Sequence, residues 1–455
     1  MRQRTDATTG AAERRGASGA GRGYGVVLGL CWVAVFFDGL DMFMFGATIP
    51  AMLADASLGL DPGAAGTIGS LATFGMLVGA LSAGLLTDAV GRRWGIAVCC
   101  TVFSLASGLC AAAPTAEVFG AGRLIAGLGL GGLLPTAIAM VSEFAPDRRR
   151  NLSIGALMTG HHAGGIAAAL LGIWLVGALG WRSIYWVGVA PVLVIVPLAL
   201  LVLPESPSFL AARERRWHGR AGDSHDAGCS GPPRDVGRSG DRHDAGRPGP
   251  AALAGLAGLF RGGSGPVTLF FWLTSFAGLL LVYGVSTWLP ALMQAEGHDI
   301  GSSLGFLLTV NAGGIAGMLV AGRVSDAWGP VRVATLWFLV TALWTVLLSV
   351  RTALPLTYAL VFLVGLFLFS AQTMVYAAVA HVFPPGNRAT AIGWTTGMGR
   401  FGAVFGPWMG GWLFATGSQS WGFAAFALAA VCGTATLLCA GWAIRRRPRG
   451  GSAAA

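Results

Sequence analysis

Long apolar runs recur along the chain, separated by short breaks rich in charge, proline or glycine. Each run reaches the ~20 residues that let a helix cross a hydrocarbon core of roughly 30 Å. Reading them between their breaks predicts six helices, roughly 25–53, 64–88, 94–113, 118–142, 152–178 and 183–203. After a long polar stretch come six more, roughly 266–293, 302–326, 331–350, 353–381, 388–415 and 421–443. The expected fold is an all-α polytopic membrane protein with twelve transmembrane helices. Its expected parts are a tail (1–24), a six-helix bundle (25–204), a linker (205–265), a second bundle (266–443) and a tail (444–455).

Composition strengthens this picture. The chain is 54% hydrophobic and 11% charged, more apolar than a soluble core of 455 residues can conceal. Its net charge of +10 comes with arginine as the sole basic side chain besides histidine, placed mostly in tails and loops. That placement fits the positive-inside rule and not a nucleic-acid footprint. One set of loops carries Arg92–Arg93, Arg148–Arg150, Arg332, Arg388 and Arg445–Arg447; the other carries Asp55, Asp61, Glu117, Glu296 and Asp299 along with Arg182 and Arg351. Both termini are therefore expected on the cytoplasmic side of a bacterial inner membrane. The cysteines show no metal-type spacing and read as packing residues, so no metal or cofactor is expected. Residues 213–250 are rich in Arg, Asp, Gly and His and too poor in large apolar side chains to fold alone.

An offset of 238 residues superimposes the two halves. TFGMLVGALSAGLLTDAVG (73–91) falls on NAGGIAGMLVAGRVSDAWG (311–329), matching Gly84 with Gly322, Asp88 with Asp326 and Gly91 with Gly329. Two like-oriented six-helix pseudo-repeats joined by a long loop make a transporter whose substrate binds between rocking halves.

Within this scaffold a few polar groups stand out. Asp38 and Asp41 sit in the apolar run FFDGLDMFMFG and share a helix side at i,i+3 spacing. A charge at a helix centre costs about 2.5–3.5 kcal/mol on insertion scales, which makes such groups functional candidates. A structural pair bonded to a neighbouring helix is the alternative. Arg400 lies mid-helix among Gly397, Gly399, Gly402 and Gly406, where its guanidinium has room for a carboxylate; an ion pair to the first helix is its alternative. His161 and His162 are substrate contacts or packing residues, and His162 falls on Arg400 under the repeat offset. Gln372 and Tyr376 are candidate ring contacts, as is Trp394, although membrane helices also carry aromatics as mere packing surface.

GLLTDAVGRR (84–93) resembles the signature loop of the major facilitator superfamily; Gly84, Asp88, Gly91, Arg92 and Arg93 carry the match. The second copy keeps Asp326 and Gly329 but replaces the arginines by Pro330 and Val331. GRLIAGLGLGGLLP, opening with Gly122 and Arg123, resembles the superfamily motif whose arginine is linked to proton coupling. A snorkelling arginine near a helix end is the alternative. The DGLD element, LPESPSFL (203–210) and GWTTGMGRFGAVFGPWMGGWL (393–413) resemble the aromatic acid:proton symporter family. That resemblance implies a proton-coupled importer of small aromatic carboxylates working by alternating access, with Asp38, Asp41 and Arg400 needed for uptake. The 213–250 segment departs from the family, whose members usually carry short amphipathic helices there. Proton symport of non-aromatic acids and export of drugs or metabolites are the rival expectations. No catalytic constellation points to an enzyme, and the partners expected are substrate, protons and lipid around a monomer.

Overall fold

In the computed structural model, the described residues are 5–146, 149–211, 213–214, 259–260 and 264–446. The 213–250 segment lies almost wholly outside them, as does the C-terminal tail from residue 447. The first half contains α1 (Thr5–Ala54), α2 (Pro62–Val90), α3 (Arg92–Ala111), α4 (Ala116–Phe144), α5 (Arg150–Leu171) and a two-piece α6 (Arg182–Val187 and Ala190–Val202). A π-helical turn, Gly172–Val176, continues α5 toward Leu179. The second half contains α7 (Gly265–Ala295), α8 (Ile300–Trp328), α9 (Pro330–Leu347), α10 (Leu354–Val382), α11 (Pro385–Ala415) and α12 (Gly422–Arg446).

These helices meet the expected spans closely, except that α1 extends back into the polar tail. Eleven are long and apolar enough to cross a membrane. The remaining one, α11, has 31 residues, but its glycines, threonines and Arg400 dilute its apolar character. Local signals set the starts. Asp61 caps α2 through the Ala64 N–H at 2.9 Å, and Asp299 caps α8 through the Ser302 N–H at 3.0 Å. The α2–α3 and α8–α9 turns are closed by Gly91 (φ 95°) and Gly329 (φ 84°), a backbone region that disfavours other residues.

The repeat seen in the sequence is also a repeat of packing. A β-carbon at Gly75 would collide with the Leu124 carbonyl, and one at Gly313 with the Phe362 carbonyl, both pairs related by the same offset. Gly79 against Leu128 and Gly317 against Leu366 repeat the contact one turn later. Small residues thus let α2 approach α4, and α8 approach α10, backbone to backbone. In the same way α1 packs on α5, and α7 on α11, while α3 and α9 cover α4 and α10 from outside.

The halves meet along α2–α11, α5–α8 and α1–α7. The close approaches across this seam lie in the half of the bundle away from the chain ends. Gly66 abuts Gly411, Ser70 donates to the Val404 carbonyl at 2.7 Å, Gly46 abuts Ser286 and Gly172 abuts Leu304. Toward the other end, a β-carbon at Gly155, Gly393 or Gly397 would meet nothing within 4 Å.

Candidate functional site

The two acids of α1 serve different partners, although they share one side of the helix. Asp41 turns toward α3 and α4: its Oδ2 meets Arg123 Nη1 at 2.7 Å, and its Oδ1 accepts from Ser107 Oγ at 3.1 Å. Both ion-pair members are buried, and the Arg123 guanidinium lies 5.4 Å from the centre of the Phe45 ring. Arg123 is therefore not a snorkelling side chain. Asp38 turns toward α5, where its Oδ2 lies 3.1 Å from His161 Nδ1. Its Oδ1 is buried and has no hydrogen-bond partner among the described residues.

Arg400 is half-buried and donates from Nη1 to the Tyr283 hydroxyl at 3.1 Å. Tyr376 and Asp38 lie within Coulombic reach of it. Among the described residues no carboxylate sits within ion-pair distance of Arg400, so the expected alternative of a salt bridge to α1 is not formed. A guanidinium carries five donors in a planar fork, and Tyr283 occupies only one. His162 is buried and crosses the seam instead: its Nδ1 lies 3.1 Å from Asn311 Oδ1, and its ring meets Phe369 edge-on at 4.7 Å.

Two candidates are not gathered to this centre. Gln372 is turned into the second half, with Nε2 donating to Ser275 Oγ at 3.2 Å and Oε1 pressed against Gly278 beside Phe338 of α9. Trp394 stacks on Trp272 at 5.7 Å and shares an exposed stripe with Phe401, Phe405, Trp408 and Trp412. Those positions recur at the helical repeat and lie about 120° around α11 from Arg400.

At the α2–α3 turn, two acids that the sequence reading did not single out organise the signature loop. Glu205 Oε1 accepts from the N–H groups of Arg92 (2.8 Å) and Arg93 (3.2 Å) at the start of α3. Glu143 lies 3.6 Å from Arg92 Nε and accepts from Ser206 and Ser208. Gly91 is needed twice there, for its positive φ and because a β-carbon would strike the Glu205 carboxylate. The side chain of Asp88 lies outside the described ones, and Asp326 is exposed. Tyr283, Ser107 and Asn311 were likewise missed; each is a polar residue in an apolar helix, with nothing local to separate it from the chain's other hydroxyls and amides.

The Major Facilitator Superfamily model matches residues 31–318 and again 298–455. The chain belongs to the Major Facilitator Superfamily. It is 33% identical over 417 residues to the benzoate transport protein of Acinetobacter baylyi, covering 90% of this chain and 88% of that one. It is 33% identical to the gentisate transporter of Corynebacterium glutamicum, covering 92% and 87% of the two chains. To the 4-hydroxybenzoate transporter PcaK of Pseudomonas aeruginosa it is 31% identical, covering 90% and 91%. Among solved structures, the D-xylose-proton symporter matches with a TM-score of 0.70 at 16% identity, over 90% of this chain and 96% of that one. At that identity the likeness speaks for the superfamily fold alone. The family and these relatives are transporters, not enzymes.

Proposed function

We propose that this chain imports small aromatic carboxylates together with protons by alternating access between its two halves. The observation that carries the proposal is Arg400. It is a half-buried guanidinium at the middle of α11, bonded to a neutral tyrosine and lacking a carboxylate counter-ion among the described residues. A monoanionic substrate supplies that counter-ion bidentately. Tyr283 steadies the guanidinium, and Tyr376 is the nearer ring-contact candidate. Asp38 and Asp41, with Arg123 and His161, form the proton-coupling side of the site. The benzoate, gentisate and 4-hydroxybenzoate transporters named among the relatives support an aromatic ring on the cargo.

The arginine-rich loops support cytoplasmic termini; with that orientation the closed end of the bundle is periplasmic and this conformation inward-facing. The α2–α3 loop, tied down by Glu143 and Glu205, is the cytoplasmic gate. Each half supplies one wall of the site, so a monomer contains the whole pathway.

The test is uptake of labelled benzoate, 4-hydroxybenzoate and an aliphatic acid into vesicles with an inward proton gradient, with and without a protonophore. Accumulation of the aromatic acids that collapses with the protonophore is expected. Preference for the aliphatic acid, or extrusion, overturns the proposal in favour of its rivals.

A further inference from the structure

We infer that His161 reads a ring hydroxyl on the cargo, so that the carrier favours aromatic carboxylates hydroxylated away from the acid group over plain benzoate. The inference rests on the aromatic-carboxylate reading above and narrows its substrate class.

His161 is held from two directions. A β-carbon at Gly39 would strike the His161 carbonyl, so the glycine of DGLD lets α1 and α5 meet backbone to backbone here. The imidazole is then fixed by Nδ1, 3.1 Å from Asp38 Oδ2, with the rings of Phe43 and His162 each 5.7 Å away. A ring pinned at one nitrogen aims the other in a set direction. That other nitrogen, Nε2, is not buried and has no hydrogen-bond partner among the described residues. The side chain keeps 14% of its surface exposed, while that of Asp38 keeps 1%.

The space that His161 faces is the one that Arg400 faces. Asp38, in contact with His161, lies within Coulombic reach of Arg400 and Tyr283 on the opposite wall. Under the 238-residue offset His162 falls on Arg400, so His161 and Arg400 stand at about the same depth in the two halves. Charge sets which way round the cargo lies. Arg400 attracts a carboxylate, and Asp38, with one oxygen buried and unpartnered, repels it. The acid group goes to the α11 wall and the far edge of the ring to His161.

At that edge the ring substituent has to suit Nε2. With Asp38 ionised, the contact needs a proton on Nδ1 and leaves Nε2 a bare acceptor. With a proton on the acid, Nδ1 accepts and Nε2 becomes the donor. A phenolic hydroxyl donates and accepts, so it meets both states. A ring C–H meets neither and leaves Nε2 stripped of water. A hydroxyl beside the carboxylate bonds that carboxylate instead and stays at the Arg400 end.

The experiment titrates purified full-length protein calorimetrically with benzoate, 4-fluorobenzoate and 2-, 3- and 4-hydroxybenzoate. The better of the 3- and 4-hydroxy acids should bind about tenfold tighter than benzoate. The 2-hydroxy and 4-fluoro acids, which bring no free hydroxyl to that edge, should stay within about threefold of benzoate. His161→Phe, and His161→Leu as a second variant without a ring nitrogen, should bring the hydroxybenzoate-to-benzoate ratio to about one. His161→Gln, whose amide both donates and accepts, should keep most of it. Residual benzoate binding reports that each variant is folded. A role in packing alone would weaken every acid alike and leave the ratio unchanged; that outcome, or a ratio erased by Tyr376→Phe instead, overturns the assignment. A wild type that binds benzoate as tightly as the hydroxylated acids also overturns it, with the aromatic-carboxylate reading intact. A wild type that binds none of these acids removes that reading and this assignment with it.

Discussion

Asp41 and Arg123 stand 82 positions apart and close a buried ion pair of 2.7 Å between α1 and α4. Removing one partner of such a pair typically destabilises by ~3–5 kcal/mol, because the remaining charge is trapped without compensation. Arg123→Ala is therefore expected to lower the melting temperature in detergent by on the order of 5–10 °C. The double variant Asp41→Asn, Arg123→Gln removes both charges and should recover most of the loss. A single variant that melts with the wild type would show that the pair does not hold the two helices together.

Arg400 and Tyr283 carry a separate expectation. Lysine keeps the charge of Arg400 but loses the planar fork that grips a carboxylate at two points. A hydrogen bond to a charged group is worth about 1.5–3 kcal/mol, so Arg400→Lys should weaken benzoate binding by roughly 10- to 100-fold. Tyr283→Phe removes one neutral partner and should weaken it about fivefold. Calorimetric titration of the purified variants checks both numbers; equal affinities for wild type and Arg400→Lys would remove Arg400 as the anchor.

Much of the fold was legible because a bilayer leaves the backbone few options. Apolar length sets each span, and the glycine repeat at a fixed offset sets which helices pack closely. Individual candidate residues were less legible, for reasons of helical phase. Trp394 is six residues from Arg400, and six residues at 100° each carry it about 120° around the helix, onto the packing surface that was its alternative reading. Gln372 is a different case. Which side of α10 faces the seam depends on the packing of α7 and α9, and no local pattern states it. The pairing of Asp41 with Arg123 and of Asp38 with His161 was equally hidden, since partners from separate helices leave no local mark.

Trp394 therefore supplies a contrast. On the exposed stripe of α11 it stacks on Trp272, so Trp394→Ala should change benzoate affinity by less than about twofold, within the ±0.5 kcal/mol typical of exposed positions. The titrations used for Arg400 give the comparison directly, and a tenfold loss would return this residue to the binding site.

Outside the membrane, Asp55 gathers Ser57 Oγ (2.6 Å), Trp181 Nε1 (2.9 Å) and Arg182 Nη1 (3.0 Å), which ties the α1–α2 loop to the start of α6. Hydrogen bonds from Ser57, then from Trp181 and Arg182, hold its carboxyl well below the usual carboxylate range. A depressed folded-state value means stability that is fully present above the unfolded value of about 3.9 and lost as pH falls toward the folded one. The cluster should therefore be unchanged between pH 7 and 5 and weaken only below about pH 4. Asp55 is partly exposed, so solvent screening limits the effect, and Asp55→Asn should cost about 0.5–1 kcal/mol at pH 7. Melting curves of both proteins at pH 7, 5 and 3.5 decide it: a gap between them that closes by pH 5 contradicts the assignment.

Gly66 and Gly411 give the most direct handle on alternating access. A β-carbon at Gly66 would sit 2.7 Å from the Gly411 α-carbon and 3.0 Å from the Pro407 carbonyl, both backbone atoms that cannot step aside. One turn away, Ser70 bonds to the Val404 carbonyl across the same seam at 2.7 Å. A larger residue at Gly66 penalises only the conformation in which this end is closed, so it shifts the population toward the one open there. Gly66→Val, and Gly411→Val from the opposite side, should each lower net uptake at least tenfold while leaving benzoate binding from outside intact. A Ser70→Cys reporter reads the conformation with a membrane-impermeant maleimide: labelling should be slow in the otherwise wild-type chain and at least several-fold faster beside either valine. Unchanged labelling together with normal uptake would mean that α2 and α11 need not touch for the carrier to turn over.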